Sequence, residues 1–339
     1  MPLPPESSFQ FTPDLRICRI LNGLWQVSGG HGRIDPKAAV REMFDYVDAG
    51  FTTWDLADHY GPAEDFLGEF RRQMLATRGP AAWDQVQAFT KWVPRPGRMT
   101  RKLVEQAVAV SLRRMDVPTL DLLQFHWWDY DDSGYLEALK HLADLQSEGK
   151  IRHLALTNFD TEHLKIITDH GIRIVSNQVQ CSLVDQRPEI VMIPFCRAHN
   201  ITLLTYGTVC GGLLSEKYLG QPEPRSRVLN TVSLEKYKMM IDSWGGWPLF
   251  QELLAALKQT ADKHHVSIAN VGVRYILDRP AVAGVIVGTR LGLAEHRTDS
   301  ARTFTCSLDA EDRSRIETVL HKSRDLYKVI GDCGDEYRR

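Results

Sequence analysis

The sequence predicts an α/β fold in which eight parallel strands and their helices close into one (β/α)8 barrel domain. Strand-like and helix-like segments alternate almost throughout the 339 residues. Polar side chains gather just beyond the strand ends, the face on which such barrels build their sites. Composition fits one large core, with 43% hydrophobic residues, 25% charged residues and a net charge of −2. The near-neutral balance gives no electrostatic pull toward nucleic acid or an anionic membrane. No run approaches the roughly 18 uninterrupted apolar residues of a membrane span.

In chain order, Phe9–Ile17 reads as a small hairpin across the barrel floor, and Ile20–Gly23 as the first strand. Asp35 caps a helix that has Pro36 at its first position. Val40, Met43, Phe44 and Val47 recur at helical spacing, and Gly50 ends the helix. The remaining strands are expected at Phe51–Asp55, Gln85–Lys91, Leu120–His126, Ile151–Asn158, Val175–Ser182, Ile201–Thr205 and Val282–Gly288. Helices are expected at Thr100–Asp116, Tyr135–Gln146, Thr161–His170, Pro188–His199, Pro248–His264, Ile268–Leu277 and Ala310–His321. Strands joined through helices pair in parallel by right-handed crossovers, and eight such units close where an open sheet usually has fewer. Lys217–Trp247, with Pro222, Pro224, Gly245 and Gly246, reads as an extended loop, functional or disordered. The core then spans about residues 16–322, with a C-terminal tail over 323–339.

Six separated cysteines (Cys18, Cys181, Cys196, Cys210, Cys306, Cys333) read as free thiols of a reducing compartment. The N-terminal MPLPPESSFQFTPDL lacks the basic-then-apolar order of a signal peptide, so a cytoplasmic protein is expected. His264-His265 fits a helix C-terminus through the helix dipole, and no metal is expected, since H-E-x-x-H and cysteine clusters are absent.

The strand ends carry the chemistry. Trp25 and Gln26 follow strand one, Asp55 through Tyr60 follow strand two, Lys91 ends strand three and His126 ends strand four. Thr157-Asn158 ends strand five, Gln178 interrupts strand six, Tyr206-Gly207 follows strand seven and Gly288-Thr289-Arg290 ends strand eight. Carbonyl reduction needs a proton donor as hydride arrives. A tyrosine, with a pKa of about 10, is a poor donor unless a cation steadies its phenolate. Lys91 can do that, Asp55 can hold Lys91 charged, and His126 can donate to the carbonyl oxygen. Singly, each residue has an ordinary reading: Asp55 a turn cap, Tyr60 a structural phenol, Lys91 a solvated charge, His126 packing. Four together, in order and on one face, fit catalysis better.

W-D-L-A-D-H-Y-G over Trp54–Gly61, F-T-K ending at Lys91 and L-L-Q-F-H-W around His126 resemble the aldo-keto reductase superfamily. The likeness runs from about Asn22 to about Phe304. It implies a (β/α)8 barrel binding NADP(H) without a Rossmann domain, and Gly29–Gly32, G-G-H-G, is indeed no G-x-G-x-x-G fingerprint. By that resemblance Asp55, Tyr60, Lys91 and His126 are the catalytic set. Thr157, Asn158 and Gln178 hold the nicotinamide carboxamide, Tyr206 stacks on its ring, and Gly23, Trp25 and Gly288 border the cofactor. Gly207, Thr208 and Val209 begin the segment that wraps the pyrophosphate, Lys217 ends it, and Arg227 belongs to a loop that closes over the dinucleotide. Arg290 resembles the residue that contacts the 2′-phosphate, which favours NADPH, with NAD(H) also possible. At the adenine end, Asp299-Ser300 replaces a common Glu-Asn pair, and His296 stands where a longer polar residue is usual.

Trp25, Trp127 and Trp128 are expected to line an apolar substrate pocket, and Trp92 to pack in the core. The tail beginning at Gly331 either folds over that pocket or frays. The function expected is NADPH-dependent reduction of an aldehyde or ketone, or reversible oxidation of an alcohol or sugar, with a small molecule as partner. The alternative is a nucleotide-binding regulatory or redox-sensing subunit resembling the β subunits of potassium channels, whose loop signals resemble Lys217 and Arg227.

Overall fold

The computed structural model describes residues 3–32 and 34–338. The first two residues of the N-terminal stretch, Arg33 and the last tail residue, Arg339, lie outside the described residues. The chain opens with an antiparallel hairpin of β1 (Ser8–Thr12) and β2 (Leu15–Cys18). Phe11, Leu15 and Ile17 pack with Leu21, Phe89, Leu122, Ala155, Leu204 and Ala283 in one buried cluster. These barrel-strand residues form the inner packing layer, so the hairpin closes the floor, as its sequence predicts.

Eight parallel strands follow: β3 (Ile20–Gly23), β4 (Thr53–Asp55), β5 (Gln87–Trp92), β6 (Leu120–Phe125), β7 (Ile151–Thr157), β8 (Ser176–Gln180), β9 (Thr202–Tyr206) and β10 (Val282–Gly288). Each pairs with the next, and β10 returns to β3 in the register Val285 to Ile20, closing the barrel. Strand ends fall within two residues of those expected, because buried parallel strands read as apolar runs bounded by polar residues and turns.

The outer layer is α1 (Pro36–Asp48), α2 (Ala63–Arg78), α3 (Pro80–Trp83), α4 (Arg101–Met115), α5 (Gly134–Ser147), α6 (Thr161–Asp169) and α7 (Met192–Ala198). It continues with α8 (Val232–Trp244), α9 (Gly246–His264), α10 (Ile268–Leu277), α11 (Arg297–Ala301), α12 (Ala310–Leu320) and α13 (Leu326–Ile330). Asp35 accepts from the amides of Lys37 and Ala38, so α1 begins where its cap and proline predict. No helix among the described residues is long and apolar enough to cross a membrane.

Three expectations change. Ala63–Arg78 is a helix that the sequence reading passes over, although Phe66, Leu67, Phe70 and Met74 mark its buried face. The loop expected over Lys217–Trp247 contains α8, capped by Thr231 and burying Tyr237, Met240, Ile241 and Trp244 at helical spacing. The two prolines before it draw attention to a loop that ends at Thr231, sixteen residues earlier than expected. His264 pairs with Asp312 at 2.7 Å and His265 takes the left-handed cap at φ 56°, so side-chain and backbone partners, rather than the dipole alone, place them.

Candidate active site

The strand C-termini bring the four sequence-singled residues together. Asp55 ends β4 and Lys91 lies in β5, both essentially buried, and Lys91 Nζ donates to Asp55 Oδ2 at 2.6 Å and to the Leu56 carbonyl at 2.9 Å. Tyr60 follows on a turn, with Lys91 Nζ 5.0 Å from its ring centroid. His126 is buried at the end of β6, stacked edge-on with Trp128 at 4.3 Å, and its Nδ1 has no hydrogen-bond partner.

A residue absent from the sequence reading completes this base. Gln124 Nε2 donates to Asp55 Oδ1 at 2.9 Å, and Gln178 Nε2 donates to the same oxygen at 2.8 Å and to Gln124 Oε1 at 2.6 Å. The carboxylate thus accepts from an ammonium on one oxygen and from two amides on the other. Gln124 was legible by strand alternation, since Leu122, Gln124, His126 and Trp128 fall on one face at period two.

Burial governs the charges. It holds the Tyr60 phenol well above its ordinary pKa of 10, with Asp55, Tyr337 and Asp58 adding to the rise. The expected lowering by Lys91 is not what the resting site does, because Asp55 already neutralises that ammonium. Burial lowers Lys91 against the opposing pull of Asp55. His126 is pushed down to about 3, by burial first and then by Arg338, His59 and Lys91. At neutral pH the site therefore presents a protonated phenol and a neutral imidazole.

The cofactor expectations divide. Thr157 Oγ1 donates to the Gln178 carbonyl at 3.1 Å, and Asn158, at φ 57°, has its Oδ1 accepting from the Tyr206 hydroxyl at 2.8 Å. Gln178 commits its amide nitrogen to Asp55 and Gln124 rather than facing outward with that pair. Gly207 and Gly211 both take positive φ against α8, where a Cβ would meet Tyr237 at 2.5 and 2.9 Å. Thr208 is buried on the Cys181 carbonyl, and Val209 is half-buried beside it. Gly23 and Gly288 are paired neighbours on β3 and β10, and Gly288 lies under the Gln26 side chain.

Lys217, Arg227 and Arg290 are exposed, and no carboxylate pairs with any of them among the described residues. Among the described residues, the Arg290 side chain donates to the His31 carbonyl, at 3.0 Å. Cations without carboxylate partners suit a phosphorylated dinucleotide. Of the residues expected near adenine, Asp299 accepts from Ser267 and Asn270, bracing α10, whereas His296 is exposed and Ser300 half-buried.

Two of the three tryptophans meet the mouth. Trp25 lies 5.0 Å from the Tyr60 ring, and Trp128 is 40% exposed beside His126. Trp127 is a correction: it is fully buried, with its indole N–H on the Asp129 and Asp132 carbonyls and its ring against Phe125 and Tyr135. Alternation sends it outward under α5. Trp92 is core, as expected.

The C-terminal segment folds over this mouth. Arg187, 2% exposed, holds Asp185 through two 2.8 Å bonds and reaches the Asp332 carbonyl and Glu336, each at 2.9 Å. Arg338 donates to the Trp127 and Asn158 carbonyls. The Tyr337 hydroxyl stands 3.0 Å from that of Tyr206. A cavity of about 350 Å³ lies instead by the floor hairpin, lined by Asp14, Arg16, Asp121 and Arg152 among others, and contains none of the residues above.

The comparisons with known proteins bear on the family and the fold. A model of the aldo/keto reductase family matches residues 19–321. The chain is 26% identical over 329 residues to the aldo-keto reductase YhdN of Bacillus subtilis, covering 91% of this chain and 92% of that protein. It is 23% identical over 296 residues to the NADH-specific methylglyoxal reductase of Escherichia coli, covering 82% and 87%. Among solved structures, a glycerol dehydrogenase from Gluconobacter oxydans shares the fold at a TM-score of 0.75 and 22% identity, over 97% of this chain and 98% of the other. A closed eight-stranded barrel, a matching family model over most of its length and an acid–phenol–amine–imidazole set at its mouth place this chain in the aldo/keto reductase family, whose members are NAD(P)H-dependent oxidoreductases.

Proposed function

We propose that the protein reduces an aldehyde or ketone with NADPH, Tyr60 giving the proton, and that it runs the same chemistry in reverse on an alcohol. The observation that carries the reading is the buried Asp55–Lys91 pair set 5.0 Å behind the Tyr60 ring, with His126 beside it. The bound nicotinamide would supply the hydride; Tyr206 and Asn158 are the residues to hold it, with Lys217, Arg227 and Arg290 for the phosphates.

The chain's own groups do the rest. Tyr60 rests protonated, the form reduction needs, because burial and Asp55 disfavour the phenolate. As charge builds on the carbonyl oxygen, the phenol proton moves to it, and Lys91 meets the phenolate left behind. Gln124 and Gln178 keep Asp55 aligned on Lys91. Neutral His126 can donate one N–H to the same oxygen without competing as an acid. With Nδ1 enclosed and unpartnered, the tautomer that serves the mouth carries its proton on Nε2.

The test follows nucleotide absorbance while the purified protein meets an activated aromatic aldehyde, with NADPH and NADH in parallel. Tyr60→Phe is expected to keep NADPH binding nearly intact while turnover falls by about 10²-fold or more. Full activity in that variant would remove Tyr60 from the mechanism. Equal use of NADH would leave the reductase and undo the role given to Arg290.

A further inference from the structure

Lys236, on α8, is a cation at the mouth, ringed by tyrosines, whose surroundings suit an anion. Its ammonium donates to the Tyr337 hydroxyl and lies 4.5 Å from the Tyr337 ring centroid, 5.1 Å from that of Tyr206 and 5.4 Å from that of Tyr237. It is half-buried, and no carboxylate pairs with it among the described residues. The contrast with its neighbours is sharp. Lys91 has Asp55, and Lys238, two residues on along the same helix, has Glu223 at 2.5 Å and Asp242 at 2.7 Å. Glu336, next to Tyr337, is bonded to Arg187 at 2.9 Å and feels the Lys236 charge only through space, without forming an ion pair with it. Phenols and ring faces solvate a cation but give it no direct ion-pair partner.

Position decides what that charge meets. Tyr337 spans from Lys236 to the reacting end of the mouth, its ring 6.3 Å from His126 and 6.4 Å from Trp128, and its phenol is close enough to act on that of Tyr60. The ammonium therefore sits one phenol's breadth from the place where a carbonyl would be held. The Tyr337 hydroxyl covers it from a short C-terminal segment fastened by Arg187 and Arg338.

We propose that Lys236 recognises a carboxylate carried by the carbonyl substrate, so that this reductase acts on oxo-acids and aldehyde-acids, with the Tyr337 hydroxyl as the group the carboxylate displaces. The inference rests on the carbonyl-reductase reading above for its reaction, and on the tyrosine-ringed ammonium for its substrate class. An anionic group could also come from the cofactor's phosphates, so the experiment separates the two sources.

The experiment compares 3- and 4-carboxybenzaldehyde with their methyl esters, NADPH saturating, for the wild type, Lys236→Met and Lys236→Arg. Wild type is expected to favour the carboxylates by at least about tenfold in kcat/KM, the scale of one hydrogen bond to a charged group. Lys236→Met should bring that ratio close to one, and Lys236→Arg should keep most of it. No preference in the wild type, or a preference that survives Lys236→Met, overturns the proposal. So does an NADPH dissociation constant that rises in Lys236→Met while acids and esters fall together, which assigns the ammonium to the dinucleotide. A calorimetric titration of benzoate against benzamide reads the same site without turnover. Benzoate binding lost in Lys236→Met supports the proposal even if every aldehyde is refused, whereas equal binding of the two overturns it. Refusal of all aldehydes speaks only against the reductase reading.

Discussion

Replacing Asp55 by Asn separates what the buried pair does for stability from what it does for catalysis. Asp55 and Lys91 have side chains 3% and 4% exposed, 2.6 Å apart. One carboxylate oxygen serves Lys91 and the other serves Gln124 and Gln178. Asn has one acceptor. Turned either way, its NH2 faces an ammonium or two amide donors, so at least one bond is lost and one repulsion gained. Lys91 is then a buried charge without a counter-charge, a change that costs about 3–5 kcal/mol. Burial already lowers Lys91 with Asp55 present, and removing that carboxylate lowers it further. The unfolded chain still binds that proton below about pH 10.4, so stability of the variant should rise with pH toward that value, by at most about 1.4 kcal/mol per unit.

Urea unfolding, followed through the eight tryptophans, measures this directly. Asp55→Asn with Lys91→Met removes both members of the pair and should regain most of the lost stability, because no unpaired charge remains. Activity should not return with it: both variants are expected about 10²-fold or more below wild type in kcat/KM. A loss under about 1 kcal/mol for Asp55→Asn, or a double variant no more stable than the single one, would refute the claim that an ion pair anchors this site.

Arg187→Met should leave Asp185 and Glu336 without their shared cation, release the C-terminal segment and cost about 3–5 kcal/mol. Cys333 lies within that segment and is buried, so rapid labelling of one additional thiol by a disulfide reagent is the readout, and an unchanged labelling rate would contradict it. His126 is held at about 3 in the fold against about 6.5 unfolded, so the unfolded state binds the extra proton as pH falls between those values. Stability should therefore drop from pH 6.5 toward 3, by roughly 4–5 kcal/mol at most from this residue. His126→Gln should flatten that part of the profile, and a curve identical to wild type would count against the neutral imidazole.

Much of this was written locally in the chain. Strands buried on both faces must be apolar along their length, so Asp55, Lys91, His126, Asn158 and Gln178 stand out at or near their ends, and the barrel order follows from eight repeats of one rhythm. Pattern even carried information left unread: period two distinguishes Trp127 from His126 and Trp128, and the spacing of Tyr237, Ile241 and Trp244 announces α8. Tertiary structure alone decided the rest. Gln178 looked like a cofactor ligand because a polar residue inside a buried strand needs a partner, yet which partner depended on strands β4 and β6 being brought opposite it. Lys236 and Tyr337 stand 101 positions apart and join only because α8 and the C-terminal segment cross the same mouth. A residue's type and spacing set what it can donate, accept or bury; contacts between distant segments set the charge it keeps, since burial and the one counter-charge within reach are properties of the closed barrel.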